Sequence, residues 1–206
     1  MKNWKPEVPP FRKYKTKVFE NASLTGQFVY QIGESEDLRK PSKEVPVNKI
    51  TSKIYQEKFK YLKKCLLKYR KLTGLGRGIT AVQVGIPERF SIVYTPEKLI
   101  LIINPKVTKV SKTKLKYPEM CMSANPIIVP TIRSSWIEFE YLDEHGNKKI
   151  WNTKDNIKQS KILNRVFQHE IDHMHGIINL DIGNPKEYIL ESDPKFYKNA
   201  TFEKVR

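Results

Sequence analysis

Two histidines and a glutamate near the C-terminus have the types and spacing of a metal-dependent hydrolase. His169 and His173 are four residues apart. They continue an apolar stripe formed by Ile162 and Val166, so on a helix both imidazoles lie on one face, one turn apart, where they can bind a single metal ion. Glu170 then lies beside that ion without binding it. Its carboxylate can take a proton from a water molecule whose pKa the cation has lowered.

A catalytic metal of this kind normally has three protein ligands, and the third is less easily identified. Downstream, Asn179 occupies the position where one group of metalloproteases has a third histidine, but an amide is a poor neutral ligand. The next glutamate is Glu187, beyond the predicted helix. Upstream, Cys121 offers a thiol that a metal would hold as thiolate, although a cysteine here is more often a small core residue. The spacing alone leaves the third ligand open.

Three short segments that occur in order along the chain resemble the motifs of a known family. Residues 76–83 read Gly-Arg-Gly-Ile-Thr-Ala-Val-Gln, residues 119–123 read Glu-Met-Cys-Met-Ser, and residues 168–173 read Gln-His-Glu-Ile-Asp-His. Peptide deformylases carry Gly-x-Gly-Φ-Ala-Ala-x-Gln, Glu-Gly-Cys-Leu-Ser and Gln-His-Glu-x-Asp-His in the same order. The resemblance extends over roughly residues 37–181.

The resemblance implies an enzyme that removes the N-formyl group from the formylmethionine of newly synthesised polypeptides. It implies three metal ligands: Cys121, His169 and His173. Glu170 would be the general base and acid, while the side-chain amide of Gln83 and the backbone N–H of Met122 would stabilise the oxyanion. The family implies Fe(II) as the single divalent metal; zinc, nickel or cobalt also suit these ligands.

The resemblance also implies a substrate groove with a pocket for the methionine side chain. Its residues would be Arg77, Gly78, Met120, Ile162 and Val166. Gly78 would let the peptide approach the backbone of this chain closely, and Ile162 and Val166 would line the apolar pocket. Among the departures from the motifs, Met120 replaces a glycine and Thr80 replaces an alanine. Neither removes a ligand, the base or the glutamine, so hydrolysis is expected to be retained.

Some residues near the site have two interpretations. Glu119 and Arg133 are expected to pair, either as a buried support for the cysteine loop or at the surface. Asp172 either belongs to that support or is solvated. Cys65, beside an apolar helix stripe, is expected to be a buried structural thiol.

The elements that must position these residues follow from the spacing of apolar side chains. Steps of three and four predict a helix over residues 52–72. The metal-binding stripe predicts another, with Asp155 or Asn156 as its N-cap and its end at Gly176, which suits the left-handed C′ position. Runs of β-branched and aromatic residues predict strands at 89–94, 99–103, 127–129, 136–141 and 149–151. With the resemblance, this predicts a single α+β domain in which antiparallel sheets pack around a central C-terminal HExxH helix, with an N-terminal helix on the outside.

The boundaries of this domain are predicted from composition. Residues 1–28 contain three early prolines without steady periodicity and read as an N-terminal extension. Residues 29–182 form the catalytic domain. Residues 183–206 are polar and are expected to be a loosely held tail without a long helix.

The net positive charge of the chain suggests the kind of partner that it could bind. The chain of 206 residues has a formal net charge of +16, from 38 Lys and Arg against 22 Asp and Glu. Such a charge attracts polyanions, so binding to the ribosome or its RNA is one expectation, and a lysine-rich surface without such a partner is the other. No apolar stretch approaches the roughly 20 residues of a membrane-spanning helix, and no secretory signal is visible. A cytoplasmic protein without a membrane partner is expected, with organellar import left open by the basic N-terminus.

Two other functions compete with deformylation. An HExxH metallopeptidase would need a third ligand downstream of the helix. A catalytically weak, deformylase-like protein that binds RNA or the ribosome would use the basic surface instead.

Overall fold

The computed structural model describes residues 13–191 and 195–205, with side chains from residue 19. Its helices are α1 (Lys13–Gly26), α2 (Lys53–Thr73), α3 (Lys158–His173), α4 (Asn179–Ile182) and α5 (Phe196–Asn199). Its strands are β1 (Gly78–Thr80), β2 (Phe90–Tyr94), β3 (Leu99–Val110), β4 (Lys114–Met120), β5 (Ile127–Ser134), β6 (Ile137–Leu142), β7 (Lys148–Trp151), β8 (Ile189–Leu190) and β9 (Glu203–Val205). No helix in these two ranges is long and apolar enough to cross a membrane.

The strands form two antiparallel sheets, which confirms the predicted α+β class. The first has the order β1-β2-β3-β6-β7 and the second the order β8-β5-β4-β9. Side chains alternate between the faces of a strand, and neighbouring residues of β2 enter different cores. Ile92 joins the core formed with α2, whereas Val93 joins the core formed with α3. The two long helices therefore cover opposite faces of the five-stranded sheet.

Helix α2 agrees with the predicted helix to within one residue at each end. Its apolar stripe, including Phe59, Leu62 and Leu66, is buried against β1, β2 and β3. Gly74 ends the helix with a φ of +70°, a conformation that glycine adopts without steric cost. Cys65 is buried as expected, and burial raises the pKa of its thiol.

Helix α3 carries the HExxH sequence and contacts strands of both sheets. Its apolar residues Leu163, Phe167 and Ile171 pack against β2, β3 and β6. Its N-cap is Ile157, one or two residues later than the predicted N-cap at Asp155 or Asn156. Asp155 nevertheless holds its first turn, because its carboxylate accepts hydrogen bonds from the Ile157 N–H at 3.0 Å and the Ser160 hydroxyl at 2.9 Å.

Several strands are longer than predicted, and four strands, β1, β4, β8 and β9, were not predicted. Three of the strands, β3, β4 and β5, contain a proline, and a proline inside a run argues against a central strand. Pro118 of β4 faces Pro130 of β5 in the register. In an antiparallel pair, every second pair of facing residues exchanges no backbone hydrogen bonds. Two prolines can face each other at such a position without loss of a hydrogen bond between the strands. In β3, Pro105 lies within an irregularity of the pairing with β6, next to Asn104 at φ +48°.

The N-terminal extension contains a helix where no periodicity was found. Residues 1–12 lie outside the described ranges, but α1 packs on α2. Its buried positions include two polar residues, Asn21 and Thr25, and the Thr25 hydroxyl donates to the Asn21 carbonyl at 2.7 Å. Because these polar side chains are buried, hydrophobic spacing gave no helical signal.

The expectation of a loosely held C-terminal tail is wrong for its described part. Strand β8 pairs with β5, and β9 pairs with β4 over Lys114, Leu115 and Lys116. Phe202 stacks on Tyr117 with ring centroids 4.4 Å apart. Edge-strand pairing depends on backbone hydrogen bonds, so a polar sequence does not exclude it.

Candidate active site

The structure brings together the three residues that the sequence indicated as metal ligands. The ligand atoms of Cys121, His169 and His173 all lie within 4.8 Å of one another. The Cys121 Sγ is 3.3 Å from the His173 Nε2, and the two imidazole centroids are 5.0 Å apart. Cys121 and His173 are fully buried. Helix α3 supplies both histidines, and the turn after β4 supplies the cysteine.

These three side chains fit a divalent metal by their chemistry and orientation. The Glu119 carboxylate lies 3.1 Å from the His169 Nδ1, which leaves Nε2 as the ligand atom. Burial lowers the pKa of His169, but hydrogen bonds to Cys121 and Glu119 outweigh it and raise that pKa well above its usual value. Burial and the charge of His169 hold the pKa of His173 well below its usual value. One thiolate with two imidazoles is a ligand set that suits a transition metal.

A buried charge cluster supports the cysteine loop. Glu119 lies two residues before the cysteine. One of its carboxylate oxygens forms ion pairs with the Arg133 Nε at 2.7 Å and the Arg165 Nε at 2.5 Å. The side chains of Arg133 and Glu119 are only 5% and 7% exposed, so of the two expectations, a buried pair and a surface pair, the buried pair is correct. Asp172 belongs to the same cluster, 2.5 Å from Arg133. Burial raises the pKa of Glu119, but the two arginines outweigh it and hold that pKa well below its usual value.

The carboxyl group of Glu170 packs closely against residues of β1. Its carboxylate accepts a hydrogen bond from the Thr80 hydroxyl at 2.7 Å. A Cβ at Gly78 would collide with the carboxyl group of Glu170, so this glycine leaves the space that the side chain fills. Burial raises the pKa of Glu170, and the His169 charge and the Thr80 hydrogen bond oppose that rise.

Gln83 directs its side-chain amide toward the cysteine. Its Oε1 accepts from the Thr80 backbone N–H at 2.9 Å, which fixes the orientation of the amide group. The Nε2 donates to the Ser123 hydroxyl at 3.1 Å and lies 3.7 Å from the Cys121 Sγ. Gln83 is therefore placed where an amide can donate to an oxygen bound beside the three ligand atoms.

A cavity of about 590 Å³ opens onto this group of residues. It is lined by all the residues predicted to contact substrate and by Met122: Arg77, Gly78, Met120, Met122, Ile162 and Val166. Met120, which replaces a glycine of the motif, packs against the core that contains α2. Its sulfur is 4.0 Å from the Tyr69 hydroxyl, so it forms part of the cavity wall.

Sequence reasoning missed several residues of the site. Arg165 is buried, and its guanidinium donates to the carbonyls of Leu115, Tyr117 and Thr131. Asn179, dismissed as a metal ligand, is buried and donates to the Glu119 carbonyl at 3.3 Å. An arginine on the helical stripe of His169 was the available signal for the first; no local pattern marked the second.

The C-terminal segment also reaches the cavity, which no sequence pattern indicated. Tyr197 and Lys198 of α5 line it. The Tyr197 hydroxyl is buried and has no hydrogen-bond partner among the described residues. Burial raises the pKa of Tyr197 well above its usual value, and Tyr69 and Tyr117 add to that rise. The pairing of β9 with β4 places α5 beside the cavity.

Comparison with known proteins agrees with this geometry. A family model for polypeptide deformylases matches residues 28–188. The peptide deformylase of Picosynechococcus sp. is 36% identical over 111 residues, which cover 52% of this chain and 56% of that protein. That of Dictyoglomus turgidum is 34% identical over 139 residues, covering 66% and 86%. The crystal structure of the peptide deformylase from Thermotoga maritima aligns with a TM-score of 0.63 and 27% identity, over 76% of this chain and 97% of that one. The chain belongs to the peptide deformylase family.

Proposed function

We propose that this protein is a metal-dependent amide hydrolase that removes the formyl group from the N-terminal formylmethionine of newly synthesised polypeptides. The observation that supports it most directly is the convergence of three possible metal ligands beside a cavity that His169, Glu170 and Gln83 line. A simple metal site would not need a buried carboxylate and an oriented amide beside it. These two groups are what the hydrolysis of an amide requires.

In the proposed mechanism, Cys121, His169 and His173 hold the cation. A divalent cation at such a site lowers the pKa of water and polarises a carbonyl oxygen. Glu170 accepts the proton of the attacking water and returns it to the leaving amino group of the methionine. The Gln83 side-chain amide and the Met122 backbone N–H donate hydrogen bonds to the oxyanion of the tetrahedral intermediate.

The cavity walls account for substrate selection in this proposal. Ile162 and Val166 lie one helical turn apart on the face of α3 that borders the cavity. We assign them to the pocket for the unbranched methionine side chain. Arg77 and Gly78 border the cavity along β1, where the peptide backbone would lie. Met120 also lines the cavity, where a glycine would leave more space. We therefore expect the enzyme to hydrolyse poorly those substrates that have a bulky residue after the methionine.

Fe(II) is the metal we propose for the cell, with zinc, nickel and cobalt as substitutes that the same ligands accept. Anaerobic purification followed by elemental analysis would identify it. The enzymatic test is formate release from formyl-Met-Ala-Ser by freshly prepared, metal-loaded protein. We expect release of one formate per peptide, and no turnover after treatment with a chelator. A fully loaded preparation that releases no formate would exclude deformylation.

The first prediction separates this enzyme from an HExxH metallopeptidase. Replacing Cys121 by alanine should reduce bound metal from about one ion per chain to well below one, because two imidazoles alone hold a catalytic metal weakly. Cys65→Ala is the matched control and should keep the metal, since Cys65 is a buried residue of α2 and is not among the three converging ligands. Unchanged metal content in Cys121→Ala, with loss on substitution of a downstream residue, would favour the metallopeptidase.

We also propose that the enzyme meets its substrates at the ribosome, in the cytoplasm, through the exposed lysines of α2. Four of them, Lys60, Lys64, Lys68 and Lys71, are exposed on the side of the helix away from its core. Replacing all four by glutamine should weaken ribosome binding at moderate salt and lower the salt-dependence slope by about 3 if each contacts a phosphate. Subcellular fractionation would reveal organellar import instead.

The control for this prediction removes the same charge elsewhere. Lys106, Lys112, Lys148 and Lys149 lie outside α2 and are also exposed, and their replacement should leave ribosome binding nearly unchanged. Equal effects from both sets would mean that only total charge matters. Ribosome binding that survives Glu170→Ala, with no turnover by the parent protein, would support the deformylase-like binding protein.

A further inference from the structure

Thr80 lies in hydrogen-bond contact with the side chain of Glu170. It ends β1, is fully buried, and stands where the family motif usually has alanine. Its Oγ1 lies 2.7 Å from the Glu170 Oε2 and 3.1 Å from the Glu170 carbonyl oxygen. In the part of the chain that the structure describes, no other side chain donates a hydrogen bond to this carboxylate. The hydroxyl therefore gives Glu170 a contact that alanine cannot provide.

The position of Glu170 depends on more than the helix that carries it. A helix fixes the backbone, but a glutamate side chain retains three rotatable bonds. Gly78, two residues before Thr80 on the same strand, leaves space for the carboxyl group, since a Cβ there would collide with it. Space alone does not select one orientation. The Thr80 hydroxyl does, because a hydrogen bond to a charged acceptor is short and directional.

We propose that Thr80 is a positioning residue, whose hydroxyl holds the Glu170 carboxylate in the orientation from which it takes a proton from water. This inference rests on the proposed deformylase function and deepens it. A hydroxyl both donates and accepts hydrogen bonds. Once Glu170 carries the proton during turnover, Thr80 can accept from the carboxyl group and donate to the Glu170 carbonyl at 3.1 Å. One side chain thus serves both stages of the reaction.

Thr80 also contacts Gln83, but through its backbone. Its N–H donates to the Gln83 Oε1 at 2.9 Å. A substitution of the Thr80 side chain keeps that N–H, so the oxyanion donor retains its support while Glu170 loses its own. The two effects can therefore be separated at a single position.

The experiment compares Thr80→Val with Thr80→Ser. Valine has the shape of threonine without the hydroxyl, and serine keeps the hydroxyl without the methyl group. Alanine is less informative, because it leaves space in which a water molecule could replace the hydroxyl. We expect Thr80→Val to lower kcat at least about tenfold with KM within about twofold, and Thr80→Ser to stay within about threefold of the parent protein in kcat.

Two further measurements do not depend on activity. Metal per chain in Thr80→Val should match that of the parent, because the three ligands are untouched. Crystal structures of the chelator-treated parent and of chelator-treated Thr80→Val should differ at Glu170. Its carboxylate should be displaced from Gly78 in Thr80→Val and not in the parent. An unchanged kcat, an equal loss in Thr80→Ser, a loss confined to KM, or an unmoved carboxylate would each overturn the proposal. If the parent releases no formate, the proposed function fails, and the carboxylate positions then decide the Thr80 contact alone.

Discussion

Replacing Glu170 by glutamine is expected to lower the kcat for formate release by about 10²- to 10⁴-fold, the usual contribution of a positioned general base. Glutamine has nearly the same shape, so it can fill the space beside Gly78 and accept the Thr80 hydrogen bond. It cannot accept a proton from water at neutral pH. The loss should therefore appear in kcat, with little change in KM. Steady-state kinetics of metal-loaded protein would measure it.

Metal content distinguishes loss of the base from loss of the metal. Glu170 is not among the three residues whose ligand atoms converge, so Glu170→Gln should bind as much metal as the parent. Glu57→Gln is a suitable control, because Glu57 is an exposed glutamate on α2 and its replacement should leave turnover unchanged. Parent-like turnover in Glu170→Gln would contradict the assigned role. A turnover loss that merely follows a loss of bound metal would contradict it as well.

The parts of the site that share one element were predictable from sequence. His169, Glu170 and His173 all lie on α3, and helical geometry fixes the relation of residues one to four positions apart. The cysteine was harder, because His169 comes 48 positions after Cys121 in the sequence and no periodicity links them. Only the ordered motifs indicated Cys121 as the third ligand; spacing from the helix did not.

The supporting residues were mostly unpredictable because their partners come from other elements. A threonine at position 80 looks like a minor departure until β1 and α3 are in contact, and then its hydroxyl meets Glu170. Arg165 resembles any helical arginine until β4 and β5 present their carbonyls to it. Tyr197 enters the cavity only because β9 pairs with β4. Each depends on long-range packing, which single-sequence patterns do not encode.

The fold shows the same division. Helix α2 was predicted nearly to the residue, because its apolar stripe and terminal Gly74 are both local signals. Strand β4 was missed, since Pro118 weakened its pattern and the strand is stabilised by pairing on both edges. The domain boundaries proposed at residues 28 and 182 stay a prediction.

Glu119 is the residue whose loss is expected to destabilise the fold most. Its carboxylate is buried among Arg133, Arg165 and His169. Removing one partner of a buried ion pair leaves an uncompensated charge, which typically costs about 3–5 kcal/mol. Here, Glu119→Gln would leave two buried guanidinium groups without this carboxylate, although Arg133 would keep its ion pair with Asp172. We expect a loss of this size in the free energy of unfolding, measured by urea denaturation of chelator-treated protein.

A double-mutant cycle would show that charge is the cause. Arg133→Met alone should also destabilise, because it deprives Glu119 and Asp172 of their shared partner. The double variant should lose less than the sum of the single losses, since the second substitution removes a charge that the first left unpaired. Glu36→Gln is the surface control, because the Glu36–Lys40 pair is exposed and should contribute nothing measurable. Strict additivity in the cycle would argue against this explanation.

The pH dependence of the Glu119 effect follows from the direction of its pKa shift. The arginines hold the folded-state pKa below the ordinary value of 4.5, so the folded protein keeps this carboxylate ionised at pH values where the unfolded chain takes up a proton. Its stabilising contribution is therefore complete above the unfolded-state pKa and is lost as the pH falls through the folded-state pKa. The stability difference between the parent and Glu119→Gln should be largest near neutral pH and should shrink only below about pH 4.5. A difference that stayed constant into acid would mean that shape, and not charge, makes Glu119 necessary.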